Sequence, residues 1–126
     1  MINDLFGNKT LIPILKKLLD LGAVRHRVIA QNIANASTNG YRKKSVEFSE
    51  SLRSLLESDG NGFDDGVEDF RIIESTKIPE EGAPNNVNLS EEMADLAKNQ
   101  LYYKFAVNLM RRQLSSIKAS ITVRNL

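Results

Sequence analysis

The sequence predicts a mainly α protein: an elongated pair of long N- and C-terminal helices, forming a coiled-coil-like core domain, joined by a mostly irregular middle segment. Three observations carry this prediction. No Gly or Pro follows Pro84, so the last 42 of the 126 residues run without a strong helix breaker. Apolar residues between 11 and about 36 recur at helical spacing. Between them, residues 57–81 hold nine acidic and two basic side chains, and four of the seven glycines lie between 60 and 82. A stretch so acidic and rich in turn-formers reads as a loop or loosely ordered insert. The net charge of the whole sequence is only +1, so its two ends are correspondingly basic.

Residues 1–9, MINDLFGNK, are short, polar and weakly periodic, and are expected to be disordered. They lack the basic and apolar regions of a cleaved signal, and no stretch is long and apolar enough to span a bilayer. By this logic alone the protein is soluble and does not use the general export route. The N-terminal helix of the core domain is expected over 10–36. Leu11, Ile14, Leu15, Leu18, Gly22, Ile29 and Ile33 share one side of a 3.6-residue wheel, with Lys16, Asp20, Arg27 and Gln31 opposite. Pro13 falls near the first turn, where it is tolerated. Gly22 costs roughly 1 kcal/mol against Ala. It either weakens the helix or permits a close backbone approach, and weakening is the favoured reading. Arg25 and His26 read as boundary residues with polar tips, since a lone His gives little support for a metal or general-base role.

Residues 37–87 form the extended or irregular acidic middle. Asn35 to Gly40 reads as a helix exit whose amides and hydroxyls satisfy late helix carbonyls or backbone amides. Tyr41, Val46 and Phe48 then line an extended segment interleaved with Arg42, Lys43 and Lys44. Only VEDFRII, residues 67–73, has the character of a short strand.

The C-terminal helix is expected over 88–126, capped by Asn88 with Glu91 three positions on, a capping-box arrangement. Met93, Leu96, Gln100, Tyr103, Val107, Met110, Leu114, Ile117 and Ile121 alternate in steps of three and four. That 3.5-residue period predicts a left-handed coiled-coil seam, with Gln100 as a register-setting polar position. The helix is expected to be roughly 50–55 Å long. A second row, Ala97, Leu101, Phe105 and Leu109, lies away from that seam. One antiparallel partner does not cover both rows, so a lone hairpin exposes an apolar stripe of the kind that marks protein–protein contact. The alternative is that the middle segment folds back over it.

The stretch QNIANASTNGYRKKSVEF, residues 31–48, resembles the signature of bacterial flagellar axial proteins, the rod, hook and hook-associated group. Asn32, Ile33, Ala34, Asn35, Gly40 and Tyr41 match it, while Asn39 stands where Pro is usual. Asn-Gly still accepts the positive φ such a turn needs. NNVNLSEEMADLAKNQLYYKFAVNLMRRQLSSIKASI is similar to the C-terminal arm of the basal-body rod proteins, closest to their proximal member, on its Glu-Met, AKNQ and following Tyr. The two matches cover residues 10–50 and 85–123, about two-thirds of the chain.

The resemblance implies a structural rod subunit whose terminal helices pair into a core domain and whose copies assemble helically into a torque-transmitting shaft. It implies contacts with copies of itself, other rod proteins, the basal-body adaptor FliE and the inner-membrane ring. It further implies export through the flagellar type III apparatus without a cleaved signal, to the rod in the periplasmic space. Together with the apolar rows it points to an assembly interface made of Leu18, Ile29, Asn32, Ile33, Asn35, Gly40, Tyr41, Met93, Leu96, Gln100, Leu101, Tyr103, Phe105, Val107, Leu109, Met110, Leu114, Ile117 and Ile121.

Catalytic signals are lacking. There is one His, no Cys, no phosphate-binding Gly loop, and no HExxH, DxDxDG or GxSxG motif. Asp64, Asp65, Glu68 and Asp69 lack the spacing of a calcium loop and read as a solvated acidic turn. The Arg42–Lys43–Lys44 cluster, in a nearly neutral protein, is weak support for nucleic-acid binding. No enzyme activity, cofactor, metal or nucleic acid is therefore expected, nor any direct membrane insertion. The competing class is a soluble helical adaptor or export chaperone that holds one partner helix on the spare stripe.

Overall fold

The computed structural model describes residues 8–50, 53 and 70–124. Helix α1 spans Asn8–Ala34, strand β1 Lys44–Phe48, strand β2 Phe70–Glu74 and helix α2 Leu89–Arg124. The fold is mainly α, two long helices joined by a middle that contains a small antiparallel ribbon. The expected disorder of the first residues and the acidic turn at 57–69 fall largely outside the described residues.

The helices run antiparallel. Asn32 meets Glu92 near one end, Asn99 reaches Gly22 in the middle, and Leu15 lies near Ala106 farther along. With 27 residues in α1 and 36 in α2, the C-terminal helix is the longer arm. Its length is about 54 Å at 1.5 Å per residue. Pro13 sits six residues into α1, not in the first turn as expected, so the Lys9 carbonyl lacks its usual i+4 donor.

The contact seam departs from the expected one by a single residue on every second position. On α2 the buried residues are Glu92, Asn99 and Ala106, spaced by heptads, with Leu96, Met110 and Ile117 partly covered between and beyond them. The expected series Met93, Gln100, Leu114 and Ile121 is exposed, Met93 at 58%, and Val107 is only half-covered. The 3.5-residue period is therefore present, but half of it is carried by Glu, Asn and Ala. Apolar periodicity passes over a polar residue that is buried against a partner of its own, as Glu92 is against Lys43 and Asn99 against the Gly22 carbonyl. On α1 the buried set is Leu15, Leu21, Gly22, Val28, Ile29 and Asn32. Leu18, expected on the apolar face, is exposed.

Gly22 is corrected too. A Cβ there would stand 2.8 Å from Tyr103 Cδ2, near the root of the ring. Close approach, rather than helix weakening, explains the glycine: the aromatic ring of α2 packs directly against α1 backbone. Beside it, Asn99 Nδ2 donates to the Gly22 carbonyl at 2.9 Å, a buried bond across the two helices.

The middle is more ordered than the composition suggests. β1 pairs with β2 from Lys44 opposite Glu74 to Phe48 opposite Phe70. Of the strand expected over 67–73, residues 70–73 lie in β2, which continues to Glu74, while 67–69 fall outside the described residues, and Tyr41–Phe48 is extended as expected. β1 packs on α1, and the Arg25 guanidinium lies 5.6 Å from the Phe48 ring centroid, a cation–π contact.

Candidate functional site

Where α1 ends, the polypeptide turns into β1 and later returns into α2, and this junction is held by asparagines. Asn35 Nδ2 donates to the Gln31 carbonyl at 2.8 Å, serving one of the helix's last acceptors, while its Oδ1 accepts from Thr38 Oγ1. Asn85, almost wholly buried, points its Nδ2 at three carbonyls of the exit turn: Asn35 at 2.9 Å, Ala36 at 3.1 Å and Thr38 at 2.9 Å. Its Oδ1 accepts from Val87 N at 2.8 Å, which fixes the amide's orientation. Gly40, at φ 76°, turns the backbone in the left-handed region and donates its N–H to the Pro84 carbonyl at 3.0 Å. Asn86 then ties the base of the ribbon, accepting from Lys43 N at 2.7 Å and donating to the Lys77 carbonyl at 3.0 Å.

Asn32 is the centre of this arrangement. Its Nδ2 donates to the Lys44 carbonyl at 2.8 Å and to Glu92 Oε2 at 3.0 Å. Its Oδ1 accepts from Tyr41 Oη at 2.9 Å and from Lys44 N at 3.0 Å. Two donors and two acceptor sites are all an Asn side chain has, and all are used. The residue is 1% exposed. One side chain therefore joins α1, the exit turn, β1 and α2.

Glu92 is a buried carboxylate, also 1% exposed. Burying such a charge is unfavourable unless it is paired. Its Oε1 stands 2.9 Å from Lys43 Nζ, an ion pair that compensates the oxygen Asn32 does not reach. Burial alone would lower the Lys43 pKa; the hydrogen-bonded Glu92, with Glu91 and Asp95 nearby, outweighs it and raises the value above that of an ordinary lysine. The Tyr41 hydroxyl is raised as well, by burial first and then by the Glu92 and Glu74 charges. Asn88 caps α2 as expected, accepting from Ser90 N at 3.1 Å and Glu91 N at 3.3 Å. The Glu91 carboxylate lies 3.9 Å from Lys43 Nζ instead of completing a capping box.

Of the basic triplet, Lys43 is engaged inward with Glu92, which leaves Arg42 as the exposed member. Asn32 and Ile29, named above for the assembly interface, are placed inside the molecule, and Asn35 and Tyr41 are partly covered in the junction. Ile33, Leu96, Val107, Leu109, Met110 and Ile117 are partly covered, whereas Leu18, Gly40, Met93, Gln100, Leu101, Tyr103, Phe105, Leu114 and Ile121 are exposed. Sequence reasoning did not single out Glu92, Asn85, Asn86, Asn99 or Lys43 as structural centres. The signal was the density of amides in NNVN and the paired glutamates behind it, in a region where Asn side chains substitute for missing backbone partners. Among the described residues, no group of three or more His, Cys, Asp or Glu is placed to hold a metal ion. No described helix is long and apolar enough to cross a membrane.

The outer side of α2 is the opposite of this junction. Leu101, Tyr102 and Phe105 are exposed at 68%, 62% and 64%, and Leu109 continues the row half-covered. The result is a slender helical hairpin, locked by polar bonds at one end and apolar along its outside. No protein-family profile matches the chain. It is 31% identical to the flagellar basal body rod protein FlgB of Bacillus subtilis, over 86% of this chain and 90% of that relative. It is 27% identical to FlgB of Borrelia hermsii, over 87% and 94% of the two proteins, and 26% identical to FlgB of Aquifex aeolicus, over 96% and 98%. The chain belongs to the flagellar basal body rod protein FlgB family, and it is a structural subunit of the flagellar rod.

Proposed function

We propose that the protein builds the rod by packing the outer face of α2 against neighbouring subunits, its own copies and other rod proteins, and that it carries out no reaction. The observation that supports this is the imbalance between core and surface. Among the described residues the buried apolar side chains are Leu15, Leu21, Val28, Ile29 and Ala106, while Leu101, Tyr102, Phe105, Leu114, Ile121 and Val123 are exposed along α2 alone. Apolar surface left uncovered in this way favours association. β1 lies on α1 and β2 on β1, and Phe48 at the end of β1 lines a shallow groove together with Tyr102, Phe105 and Leu109, whose outer faces stay open. Contacts between different faces of successive copies extend into a helical filament when they do not close into a ring, which fits a shaft.

On this reading the exposed members of the assembly set, Leu18, Met93, Gln100, Leu101, Phe105, Leu114 and Ile121, meet other subunits directly, while Tyr103 is held against Gly22. Asn32, Ile29, Asn35 and Tyr41 act from within by fixing the hairpin that presents them. The subunit adjoins FliE and the inner-membrane ring and crosses to the periplasmic rod through the type III apparatus. Replacing Phe105 with Ser tests the interface. Thermal unfolding of the isolated protein should be nearly unchanged, because the side chain is exposed, while the variant should be lost from purified basal bodies. Normal incorporation of the Phe105→Ser variant would overturn the interface.

A further inference from the structure

We propose that Asn39 is a site of spontaneous deamidation whose rate is set by whether the exit turn is docked on the Asn85 clamp. Asn39 is exposed and is followed by Gly40, which has no side chain to hinder attack by its own backbone nitrogen. In the reaction the Gly40 nitrogen gives up its proton and bonds to Asn39 Cγ. The bond from Cγ to the carboxamide nitrogen breaks, and that nitrogen leaves as ammonia. Water then opens the cyclic imide at either carbonyl, leaving an aspartyl or isoaspartyl residue at position 39. Solvent water is the only co-reactant, and no electrons change hands.

The docked turn withholds the nucleophile. The Gly40 N–H donates to the Pro84 carbonyl at 3.0 Å, so losing that proton means breaking a formed hydrogen bond. The turn is fixed at φ 76° at Gly40, and the neighbouring carbonyls of Asn35, Ala36 and Thr38 are all held by Asn85. Attack requires this segment to lift off Pro84, an opening whose free energy divides the rate. The chemistry is therefore fast in a molecule whose two termini have not met and slow once they have. The product also acts on the fold. An isoaspartyl link adds a methylene to the backbone immediately before Gly40, which displaces the N–H that Pro84 accepts. A molecule kept undocked accumulates a lesion that hinders docking.

The full-length protein is incubated in mildly alkaline buffer, with and without denaturant, and digested with trypsin. Tandem mass spectrometry then follows residues 28–42, which include Asn39, and residues 54–71, which include the second Asn-Gly pair at Asn61. In denaturant the Asn61 peptide reports the intrinsic chemistry of an Asn-Gly pair. Asn39, normalised to Asn61 in denaturant, should react in the native protein at least about tenfold more slowly, the factor for ~1.4 kcal/mol of opening. Asn85→Ala should restore most of the denatured rate at Asn39. Hydrogen exchange at the Gly40 amide in the unaltered protein should show protection of the same size, which decides the matter if Asn85→Ala fails to fold. Equal native and denatured rates at Asn39 would overturn the proposal. So would slow native reaction with an unprotected Gly40 amide, or with protection that survives in a folded Asn85→Ala variant.

Discussion

The two ends of the helical hairpin are held by different chemistry. At the junction, where α1 hands over to β1 and α2 begins, the buried groups are Asn32, Glu92 and Asn85, held within the molecule by hydrogen bonds and, at Glu92 Oε1, by the ion pair with Lys43. Toward the far end of α2 the apolar side chains lie open among polar ones, with Leu114, Ile121 and Val123 exposed. Polar burial is specific but adds little net stability, because desolvation offsets most of what pairing returns. Apolar exposure is unspecific but supplies driving force on association. The junction therefore determines the shape of the hairpin, and the open arm leaves apolar carbon facing solvent. A protein with these roles reversed would self-associate through whichever register buried the most carbon.

The strongest way to break this contrast is Glu92→Ala. It strands the Lys43 ammonium and one Asn32 donor, and should cost about 3 kcal/mol, the low end for breaking a buried pair because Lys43 is partly exposed. Chemical denaturation, with the midpoint shifted at constant slope, measures it. A loss below about 1 kcal/mol would mean that the junction is not the organising centre.

Gly22→Ala comes next. Ala is the better helix former by roughly 1 kcal/mol, yet its Cβ would meet Tyr103 at 2.8 Å, and overpacking of this kind costs about 1–3 kcal/mol. Net destabilisation of about 1 kcal/mol is expected, and Tyr103→Ala in the same protein should turn Gly22→Ala stabilising. That double-mutant cycle isolates the contact.

Alkaline pH sharpens the comparison without mutation. Tyr41 and Lys43 have their folded values raised above the ordinary 10.0 and 10.5. Their contribution is complete below those ordinary values and is lost as pH rises through the folded ones. Denaturation midpoints should hold steady through neutrality and fall once pH passes about 10, with Tyr41→Phe showing a shallower fall. The smallest effect belongs to the open arm. Leu114→Ser should change the stability of the isolated protein by no more than about 0.5 kcal/mol, since the residue is exposed and off the seam. A larger loss would place Leu114 in the core and erase the distinction between the two ends.

The helices, their antiparallel pairing and the Asn88 cap were legible in the sequence because each rests on local rules: breakers, periodicity and side-chain-to-backbone bonding within a few residues. The seam was legible only by half. Leu96, Met110 and Ile117 announced themselves as apolar, whereas Glu92 and Asn99 take their places through partners at Lys43, Asn32 and Gly22, up to 77 residues away. Gly22 was ambiguous for the same reason, since its explanation is a ring on the other helix. The ribbon was hidden by the acidic, glycine-rich composition around it, although the β-branched and aromatic content of Tyr41–Phe48 and of the segment ending at Glu74 was visible. Nothing in the wording of the Asn-Ile-Ala-Asn signature told that its first Asn is buried and bonded inside the hairpin.

The hydrogen bond between Asn32 and Glu92 joins residues 60 positions apart. It works as a notch on a ruler. Sliding α2 along α1 by one heptad would leave Glu92 facing no amide and Asn32 facing no carboxylate, so alignment is read from the notch and not from the length of polypeptide in between. The tether between the strands is thereby released from any duty of measurement. The spacing of the two helices is thus set at the junction, by two side chains that meet across the hairpin.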